Sequence, residues 1–244
     1  MTDSAPKDKA QKSLLMAFQL QGRRIFVFGG GQVALSRVNS VLNAGAAEIL
    51  VRSLDVCDEI KELTKTHNEV RYIDNIDLKD AQFDVENEDR CDLMFACITD
   101  RAVSEKLAHT FRKICPINCA DIPDLCDFYC GSIVKRGPLE VLVSTNGNAP
   151  RLARRIRQDI EGLIDGTNMQ KAVEKVGILR AKLRQKHSGQ DKESIKTRMK
   201  WLSDVCDSWS FNQLGSLDEA DFDLLLSQYP NHVSHDQFLS IAKS

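Results

Sequence analysis

The chain has 244 residues, of which 42% are hydrophobic and 28% are charged, and its formal net charge is −2 at pH 7. This composition is typical of a globular protein with one full core and a smaller second unit, and the small net charge excludes a general electrostatic attraction to nucleic acid or to membrane surfaces. No apolar run approaches the roughly 20 residues that a membrane-spanning helix requires.

The chain contains eight cysteines and five histidines. Four cysteines lie between Cys115 and Cys130 with the spacing C-x3-C-x6-C-x3-C, which differs from the C-x2-C pairs of zinc sites. The histidines are scattered and show no pattern of metal ligands, so we expect no permanent metal site. Free thiols are the better expectation than disulfides, and they favour a reducing, cytoplasmic location.

The first 20 residues precede the first predicted βα unit. Residues 1–12 are polar, with lysines and no apolar core, so we expect a disordered tail and not a secretory signal. Residues 13–20, SLLMAFQL, are expected to form a strand or a lead-in segment that packs beside this first βα unit.

The first predicted strand runs over residues 25–28, an apolar, β-favouring run of the length of a buried strand. Gly29, Gly30 and Gly31 follow at once, and a helix-compatible run begins at Gln32. The order of strand, glycines and helix favours a nucleotide-binding loop over a glycine-rich turn without a ligand.

This loop fits the G-x-G-x-x-G/A pattern of dinucleotide-binding folds, with Gly29, Gly31 and Ala34 at the key positions. Gly29 permits a tight turn, Gly31 lets a pyrophosphate approach the backbone, and Ala34 keeps the helix close to the strand. The helix N-terminus offers free N–H groups and partial positive charge to the phosphates. We therefore expect the three glycines, Gln32, Val33 and Ala34 to contact the cofactor.

The end of the second predicted strand bears on the choice between NAD and NADP. This strand, Glu48–Arg52, normally ends near an acid that holds the adenosine ribose hydroxyls. Asp55 is the acid within reach, although it comes late, and Arg52 could instead neutralise the 2′-phosphate of NADP. The sequence leaves both cofactors open and favours NAD.

The following alternation of strands and helices indicates an open parallel α/β sheet. Residues 92–99, DLMFACIT, form a nearly continuous apolar run, as in a central parallel strand buried on both faces. The run ends at Thr99 and Asp100, which we expect at the ligand crevice. The other expected elements are a helix at Asp58–Thr66, a strand at 70–76, a helix at 105–113 and a strand at 116–120.

The pattern changes after Ala120. Residues 121–124 read as a turn, and residues 128–134 and 139–145 predict a β-hairpin around the turn 135–138. The hairpin either pairs with a second subunit or extends the first sheet.

From Pro150 onward the apolar residues recur at helical spacing. We expect these stripes to be core. Two of them are Leu152, Ile156, Ile160 and Leu163, and Ile195, Met199, Leu202, Cys206 and Trp209. The expected organisation is a tail (1–12), a Rossmann-type dinucleotide-binding domain (13–120), a dimerisation and substrate segment (121–149) and an all-α C-terminal domain (150–244).

Four segments of the chain resemble one protein family. They are GGGQVALSR, ACITD, NCADIPDLCDFYCGSI and STNGNAPRLARRIR, in this order. Together they resemble siroheme synthase, and in particular its stand-alone bifunctional precorrin-2 dehydrogenase/sirohydrochlorin ferrochelatase members. The similarity runs from about residue 12 to beyond Trp209.

The resemblance implies an NAD-dependent oxidation of precorrin-2 to sirohydrochlorin. Bifunctional members then insert Fe²⁺ to give siroheme, so iron is a substrate and not a permanent cofactor. The resemblance also implies a homodimer formed through the middle domain, with tetrapyrroles as the small-molecule partners.

By this resemblance Asp121 is the catalytic residue, because it occupies the aspartate of the family's N-x-x-D segment. A carboxylate beside the nicotinamide can take the proton lost on oxidation, and it can accept pyrrole protons as the metal enters. Asp124 and Asp127 are nearby carboxylates of lower rank. Without the resemblance, Asp121 reads as a turn or capping residue.

The resemblance also implies a polycarboxylate substrate, so we expect a positively charged cleft to face Asp121. Arg151 and Arg155 are expected to bind substrate carboxylates, while the other arginines of the same helix can be a solvated face. Asn146 and Ser132 are expected near the substrate. Ser132 occupies the place of a serine that is phosphorylated in the bacterial fused enzyme, and it otherwise reads as an ordinary strand serine.

Three other functions remain open at this point. The protein could be a dehydrogenase only, or a non-catalytic NAD(P)-binding redox sensor whose helical region binds a partner. It could also be a Rossmann-like structural protein with a degenerate site, which would bind no nucleotide.

Overall fold

The computed structural model describes residues 13–74, 77–86 and 90–243. The expected tail and the last part of the expected strand at 70–76 lie outside these residues. The chain divides into two units, one ending at Cys130 and one beginning at Gly131. This division lies between the domain boundaries that we expect after Ala120 and after Ala149. None of the helices in the described ranges is long and apolar enough to cross a bilayer.

The first unit contains a parallel sheet, which confirms the predicted α/β class. Its strands are β1 (Arg24–Phe28), β2 (Glu48–Arg52), β3 (Val70–Ile73), β4 (Leu93–Ala96) and β5 (Ile117–Cys119). Along the described chain they are arranged in the order β3-β2-β1-β4-β5. β1 lies at the centre, and its apolar residues are covered on both faces of the sheet, as expected for a parallel strand.

Among its described residues, the sheet of the first unit is covered by the helices α1 (Gln32–Asn43), α2 (Asp58–Thr66) and α3 (Arg101–Phe111). Because side chains alternate along a strand, Val27 of β1 packs with Val38 of α1 on one face, and Phe28 packs with Phe111 of α3 on the other. The rings of Phe28 and Phe111 have centroids 5.4 Å apart. The two faces therefore fix the helices on opposite sides of the sheet.

The second unit begins with an antiparallel hairpin and continues as helices. The hairpin strands are β6 (Ser132–Arg136) and β7 (Leu139–Val143), and the helices are α4 (Pro150–Asp165), α5 (Met169–Lys186), α6 (Lys192–Ser208), α7 (Phe211–Ser216), α8 (Glu219–Ser227) and α9 (His235–Ala242). Leu179, Trp201 and Phe222 are fully buried at the centre of its helical core.

The hairpin exists, but its first strand begins four residues later than predicted, at Ser132. The preceding residues belong to the first unit, where the Asp127 backbone N–H donates to the carbonyl of Ile117 at 2.8 Å and the Phe128 ring packs on Phe95. The turn is also shorter than predicted, because the strand continues through Arg136. Gly137 enters the turn with a φ of +55°, a conformation that favours glycine.

Two of the stripes predicted as core are partly wrong. Leu152, Ile156 and Leu163 of α4 are exposed, with 61% of Leu163 accessible, because α4 packs on the hairpin through a different side that buries Ala153 and Ile164. On α6 the predicted core residues Ile195, Met199 and Cys206 are likewise exposed. Trp209 is buried as predicted, and it packs with Trp201 and Val205. Periodicity identified amphipathic helices here without identifying which apolar residues would be covered.

The lead-in segment at residues 13–20 forms no strand. Leu20 is buried, but the four large apolar side chains before it are exposed, and the prediction that the segment packs beside the first βα unit is therefore wrong for them. They are Leu14, Leu15, Met16 and Phe18.

Candidate functional site

The candidate site lies at the carboxyl edge of the parallel sheet. The chain leaves β1 toward β2 on one side and reaches β4 on the other, so the strand order reverses between β1 and β4. Ligands of open α/β sheets bind outside the carboxyl ends of the strands at such a reversal. β5 lies next to β4, and neighbouring strands are about 4.8 Å apart, so the ends of β1 and β5 are separated by about 10 Å.

Gly29 and Gly30 are required by packing. Gly29 has a φ of +112°, and a Cβ atom placed on it would lie 2.3 Å from the carbonyl oxygen of Cys97, beyond β4. A Cβ on Gly30 would lie 1.9 Å from the carbonyl oxygen of Asp55, beyond β2. Real Cβ atoms do not approach other atoms so closely, so the loop needs glycine at both positions.

Gly31 differs from the two glycines before it. Its φ of −86° is open to any residue, and a Cβ atom placed there would meet nothing within 4 Å. Gly31 is the N-cap of α1 without any side-chain cap, so free N–H groups of the first helical turn border this open space. Neither conformation nor protein packing requires glycine here. This is the arrangement expected where a phosphate approaches the backbone.

The other loop residues predicted to contact the cofactor differ in burial. Ala34 is fully buried and packs α1 onto the sheet, so its side chain faces the core and not a ligand. Gln32 and Val33 are exposed at the start of α1, and Gln32 Nε2 lies 3.5 Å from a carboxylate oxygen of Glu59.

Arg52 points into the core. Its side chain is among the buried polar groups, and its guanidinium lies over the ring of Phe26 at 4.8 Å and over that of Phe83 at 5.7 Å. Such cation–π stacking directs the charge inward. The choice between NAD and NADP stays a prediction, and the structure adds that the guanidinium of Arg52 is stacked on these two rings.

Asp55 is exposed in the loop after β2, whose backbone packs on Gly30. Its carboxylate forms an ion pair with Lys61 at 3.3 Å. The backbone N–H of Val56, and then Lys61, lower the pKa of Asp55 below its usual value. The structure thus places an ionised carboxylate next to the glycine loop.

Thr99 and Asp100 follow β4 at the same edge of the sheet. Thr99 is exposed. The Asp100 carboxylate caps α3, accepting from the backbone N–H groups of Ala102 at 2.9 Å and Val103 at 3.3 Å. The hydrogen bond from Val103 is the main cause that lowers the pKa of Asp100. The sequence predicts this aspartate as a cofactor contact, and its capping role is visible only in the structure.

Asp121 stands two residues beyond β5, and its side chain is exposed. Its φ of 59° lies in the left-handed region, which costs L-residues about 1–2 kcal/mol and is best tolerated by aspartate and asparagine. The residue before it is tied to the sheet, because the Ala120 backbone N–H donates to the carbonyl of Ala96 at 2.8 Å. Strained residues of this kind cluster at functional sites.

The loop that carries Asp121 is closed by a buried asparagine and a cysteine. Asn118 donates through Nδ2 to the carbonyl of Phe128 at 2.9 Å. Cys126 donates through Sγ to the carbonyl of Cys119 at 3.1 Å, and the backbone N–H of Cys119 donates back to that sulfur at 3.3 Å. These two positioning side chains are not among the residues predicted from the sequence, although both lie within the motif that carries the family resemblance.

Asp127 closes the same loop. Its carboxylate accepts from the backbone N–H of Ile117 at 3.1 Å and forms an ion pair with Arg112 at 3.2 Å. It is thus engaged in holding the chain beside β5, whereas Asp124 is exposed in the short 3-10 turn Pro123–Leu125. Asp124 and Asp127 are the two carboxylates that the sequence ranks below Asp121. The carboxylate of Asp127 holds the loop, whereas that of Asp124 is exposed in a turn.

No three His, Cys, Asp or Glu side chains in the described ranges are grouped so as to hold a metal ion. The cysteines are free thiols. Burial raises the pKa of Cys97 to about 12 and that of Cys119 to about 11, so both are neutral thiols near neutral pH.

In the second unit, an open cavity of about 750 Å³ lies over the start of α4. Arg151 and Arg155, both predicted to bind substrate, line it together with Arg154. All three are exposed and form no ion pair with a described carboxylate. Arg157, by contrast, pairs with Glu161. The start of α4 therefore presents positive charge that no carboxylate of the described residues neutralises.

The other two predicted substrate residues belong to the hairpin and the loop after it. Ser132 is half-buried at the base of the hairpin, opposite Val143. Asn146 has a φ of 49°, and its backbone N–H donates to the hydroxyl of Ser144 at 3.2 Å.

Family models cover most of the chain. Residues 16–132 match a putative NAD(P)-binding family, residues 136–163 match the sirohaem biosynthesis protein central family, and residues 166–234 match the sirohaem biosynthesis protein C-terminal family.

Curated relatives agree with these matches. A siroheme biosynthesis protein of Schizosaccharomyces pombe is 37% identical, over 89% of this chain and 80% of its own. A siroheme biosynthesis protein of Saccharomyces cerevisiae is 30% identical, over 85% of this chain and 87% of its own. The precorrin-2 dehydrogenase of Bacillus subtilis is 30% identical, over 63% of this chain and 90% of its own.

A solved structure named SirC, precorrin-2 dehydrogenase, shares the fold with a TM-score of 0.66 at 21% sequence identity, over 89% of this chain and all of that one. The resemblance carried by the four sequence segments is thus confirmed: the chain belongs to the siroheme biosynthesis family, with an NAD(P)-binding domain followed by sirohaem central and C-terminal domains.

Proposed function

We propose that the protein oxidises precorrin-2 to sirohydrochlorin with NAD⁺ and then inserts Fe²⁺ to give siroheme. Membership of the siroheme biosynthesis family supports the pathway. The observation that carries the dinucleotide half is Gly31, a glycine that neither conformation nor protein packing requires, at the N-terminus of α1.

In this proposal the glycine loop binds the cofactor pyrophosphate. The free N–H groups of the first turn of α1 donate to the phosphates, and Gly31 leaves room for them. When bound, NAD⁺ supplies the hydride acceptor. Asp55 is suited to accept hydrogen bonds from the ribose hydroxyls, and its negative charge together with the inward direction of Arg52 favours NAD over NADP.

In this proposal the carboxylate of Asp121 accepts the protons that both reactions release. Oxidation of precorrin-2 removes a hydride and a proton, and the exposed Asp121 carboxylate is the proposed acceptor of the proton. Entry of Fe²⁺ into sirohydrochlorin releases two pyrrole protons, which the same carboxylate can accept in turn. The hydrogen bonds of Asn118, Cys126 and Asp127 hold the loop that presents it.

Arg151, Arg154 and Arg155 are proposed to bind carboxylates of the tetrapyrrole. Their support is the open cavity at the start of α4 and the lack of protein partners for their charges among the described residues. Arginine suits this role because its planar guanidinium pairs with a carboxylate through two parallel hydrogen bonds. Ser132 and Asn146 are proposed to lie near the bound substrate.

We also propose a homodimer formed through the second unit. The apolar stripe of Leu152, Ile156 and Leu163 on α4 is exposed in the single chain, and so is Ile133 of the hairpin. Burial of such a stripe against a second copy would remove apolar surface from water. We also propose a cytoplasmic location for the protein, because its cysteines are free thiols and thiols stay reduced in that compartment.

A dehydrogenase without the chelatase step is the second candidate. Its support is the Bacillus subtilis relative, which is named for the dehydrogenase and matches this chain over 90% of its own length.

The direct test of the proposed function follows the chromophore of the tetrapyrrole. Purified protein is mixed with precorrin-2 and NAD⁺, and we expect the absorbance spectrum of sirohydrochlorin to appear only when NAD⁺ is present. Fe²⁺ is then added, and siroheme should form faster than in a protein-free control. If no sirohydrochlorin forms in the presence of NAD⁺, the proposed enzyme activity is wrong. If iron is inserted only at the spontaneous rate, the chelatase activity is wrong and the dehydrogenase activity remains.

Replacement of Gly31 by asparagine tests the dinucleotide site. Asparagine is a good N-cap and its Cβ meets open space, so the free energy of unfolding should change by less than about 0.5 kcal/mol. The side chain would fill the phosphate approach, and calorimetry should show NAD⁺ affinity reduced more than about tenfold, which is about 1.4 kcal/mol. Iron insertion into supplied sirohydrochlorin should persist. Unchanged NAD⁺ binding would contradict the proposed loop contact.

Asp121→Asn separates the charge of Asp121 from its backbone conformation, because asparagine also tolerates the left-handed region. Loss of the general base should lower the turnover of precorrin-2 by about 10²–10⁴-fold while NAD⁺ still binds. Asp124→Asn is the matched control, since it removes an exposed carboxylate from the same loop, and it should keep wild-type turnover. Wild-type turnover in Asp121→Asn, or a loss confined to Asp124→Asn, would show that Asp121 is not the catalytic carboxylate.

Leu163→Glu tests the dimer. A charge in the exposed stripe of α4 should convert the protein from a dimer to a monomer in sedimentation experiments without loss of helical signal. Met199→Glu, which changes an equally exposed residue on α6, should remain dimeric. A wild-type monomer, or a Leu163→Glu dimer as stable as the wild type, would argue against this interface.

A further inference from the structure

Arg37 of α1 is a half-buried arginine without a partner in the described part of the chain. Its Nε is shielded from solvent and has no hydrogen-bond partner there, and no described carboxylate forms an ion pair with it. Other arginines of the first unit are paired at 2.7–3.2 Å. These pairs are Arg23 with Asp92, Arg24 and Arg71 with Glu48, Arg101 with Glu105, and Arg112 with Asp127.

Arg37 belongs to α1, whose buried residues share one apolar cluster with Cys97, directly after β4, and with Phe128, in the chain after β5. Burial raises the pKa of the Cys97, Cys126 and Cys130 thiols, and the positive charge of Arg37 opposes that rise in all three. Cys97 directly follows β4, and Cys126 and Cys130 belong to the chain after β5. The guanidinium is therefore near the part of the sheet edge that presents Asp121.

The direction of the Arg37 side chain agrees with this position. Arg37 lies at the flank of the side of α1 that packs on the sheet, because at 3.6 residues per turn it is about 60° around the helix from the buried Ala34. Long side chains of a helix lean toward its N-terminus, and the N-terminus of α1 lies at the carboxyl edge of the sheet. We therefore expect the Arg37 side chain to extend from the flank of α1 toward the ligand crevice, in agreement with the shielding of its Nε from solvent.

A partly desolvated guanidinium without hydrogen bonds is unfavourable until an anion pairs with it. The backbone of Arg37 is six residues beyond the proposed pyrophosphate position at the start of α1, about 9 Å in axial rise, and a side chain that leans toward the N-terminus shortens this distance. The side of the crevice toward β4 and β5 carries Asp121, where the tetrapyrrole reacts in the proposed mechanism. A substrate carboxylate matches this position better than a cofactor phosphate.

We propose that Arg37 binds a carboxylate of the tetrapyrrole at the β4–β5 side of the crevice, an inference that rests on the proposed function. Arg37 is a substrate-binding residue distinct from the arginines of α4, and its planar fork fits a carboxylate through paired hydrogen bonds. The positive charge of Arg37 would also attract a polycarboxylate substrate to this part of the first unit.

The test compares ligand affinities of the wild type with those of Arg37→Met, Arg37→Lys and the control Arg101→Met. Arg101 starts α3 at the same edge of the sheet and is exposed and paired with Glu105. Sirohydrochlorin binding is followed by the change in its absorbance, NAD⁺ binding by calorimetry, and stability by the thermal unfolding midpoint.

We expect Arg37→Met to weaken sirohydrochlorin binding about 10- to 100-fold, as loss of a charge-assisted pair would. Its NAD⁺ affinity should stay within about twofold of the wild type, and its unfolding midpoint should be equal or higher, because the methionine removes a partly desolvated charge. Arg37→Lys should recover part of the affinity, since it keeps the charge and loses the fork. Arg101→Met should bind both ligands like the wild type.

Three results would overturn the Arg37 proposal and leave the proposed function intact. They are wild-type sirohydrochlorin affinity in Arg37→Met, a selective loss of NAD⁺ affinity, and a lowered unfolding midpoint with both ligands weakened equally. A wild-type protein that binds no sirohydrochlorin would instead overturn the proposed function itself, before any variant is compared.

Discussion

The candidate site depends on the close packing of the glycine loop against the chain segments that follow β2 and β4. Gly29 approaches the carbonyl of Cys97, and Gly30 approaches the carbonyl of Asp55, at distances that exclude a Cβ atom. The backbone N–H of Cys57 also donates to the carbonyl of Gly30 at 2.8 Å. Because these contacts join the ends of three neighbouring strands, Gly31 and the first turn of α1 are left as the open face of the loop.

The same sheet edge supports the second feature of the site, the loop after β5. This loop is held by side-chain hydrogen bonds from Asn118, Cys126 and Asp127, and it places Asp121 in a left-handed conformation with its carboxylate exposed. The fixed surroundings sustain the backbone strain. Most arginines of the first unit are neutralised by acids, and Arg37 is an exception from which a substrate contact can be inferred.

Part of this site could be predicted from the sequence. The glycine loop could be, because strand, glycines and helix are neighbours in the chain and their pattern is local. Asp121 was reached only through resemblance, since an aspartate in a turn has no local signal of chemistry. The cap made by Asp100, the inward direction of Arg52 and the unpaired state of Arg37 could not be predicted, because each depends on residues that are distant in sequence or on a side-chain direction.

By itself, the sequence determined the parallel α/β class, the glycine loop, the hairpin and the helical second half, because periodicity, chain breaks and local motifs are properties of neighbouring residues. Only the tertiary structure decided which apolar residues are covered. Leu163 of α4 and Leu14 of the lead-in segment are as apolar as any core residue, yet both are exposed. A stripe at helical spacing shows that its residues share one face of a helix, while the elements that pack against the helix decide whether that face is buried.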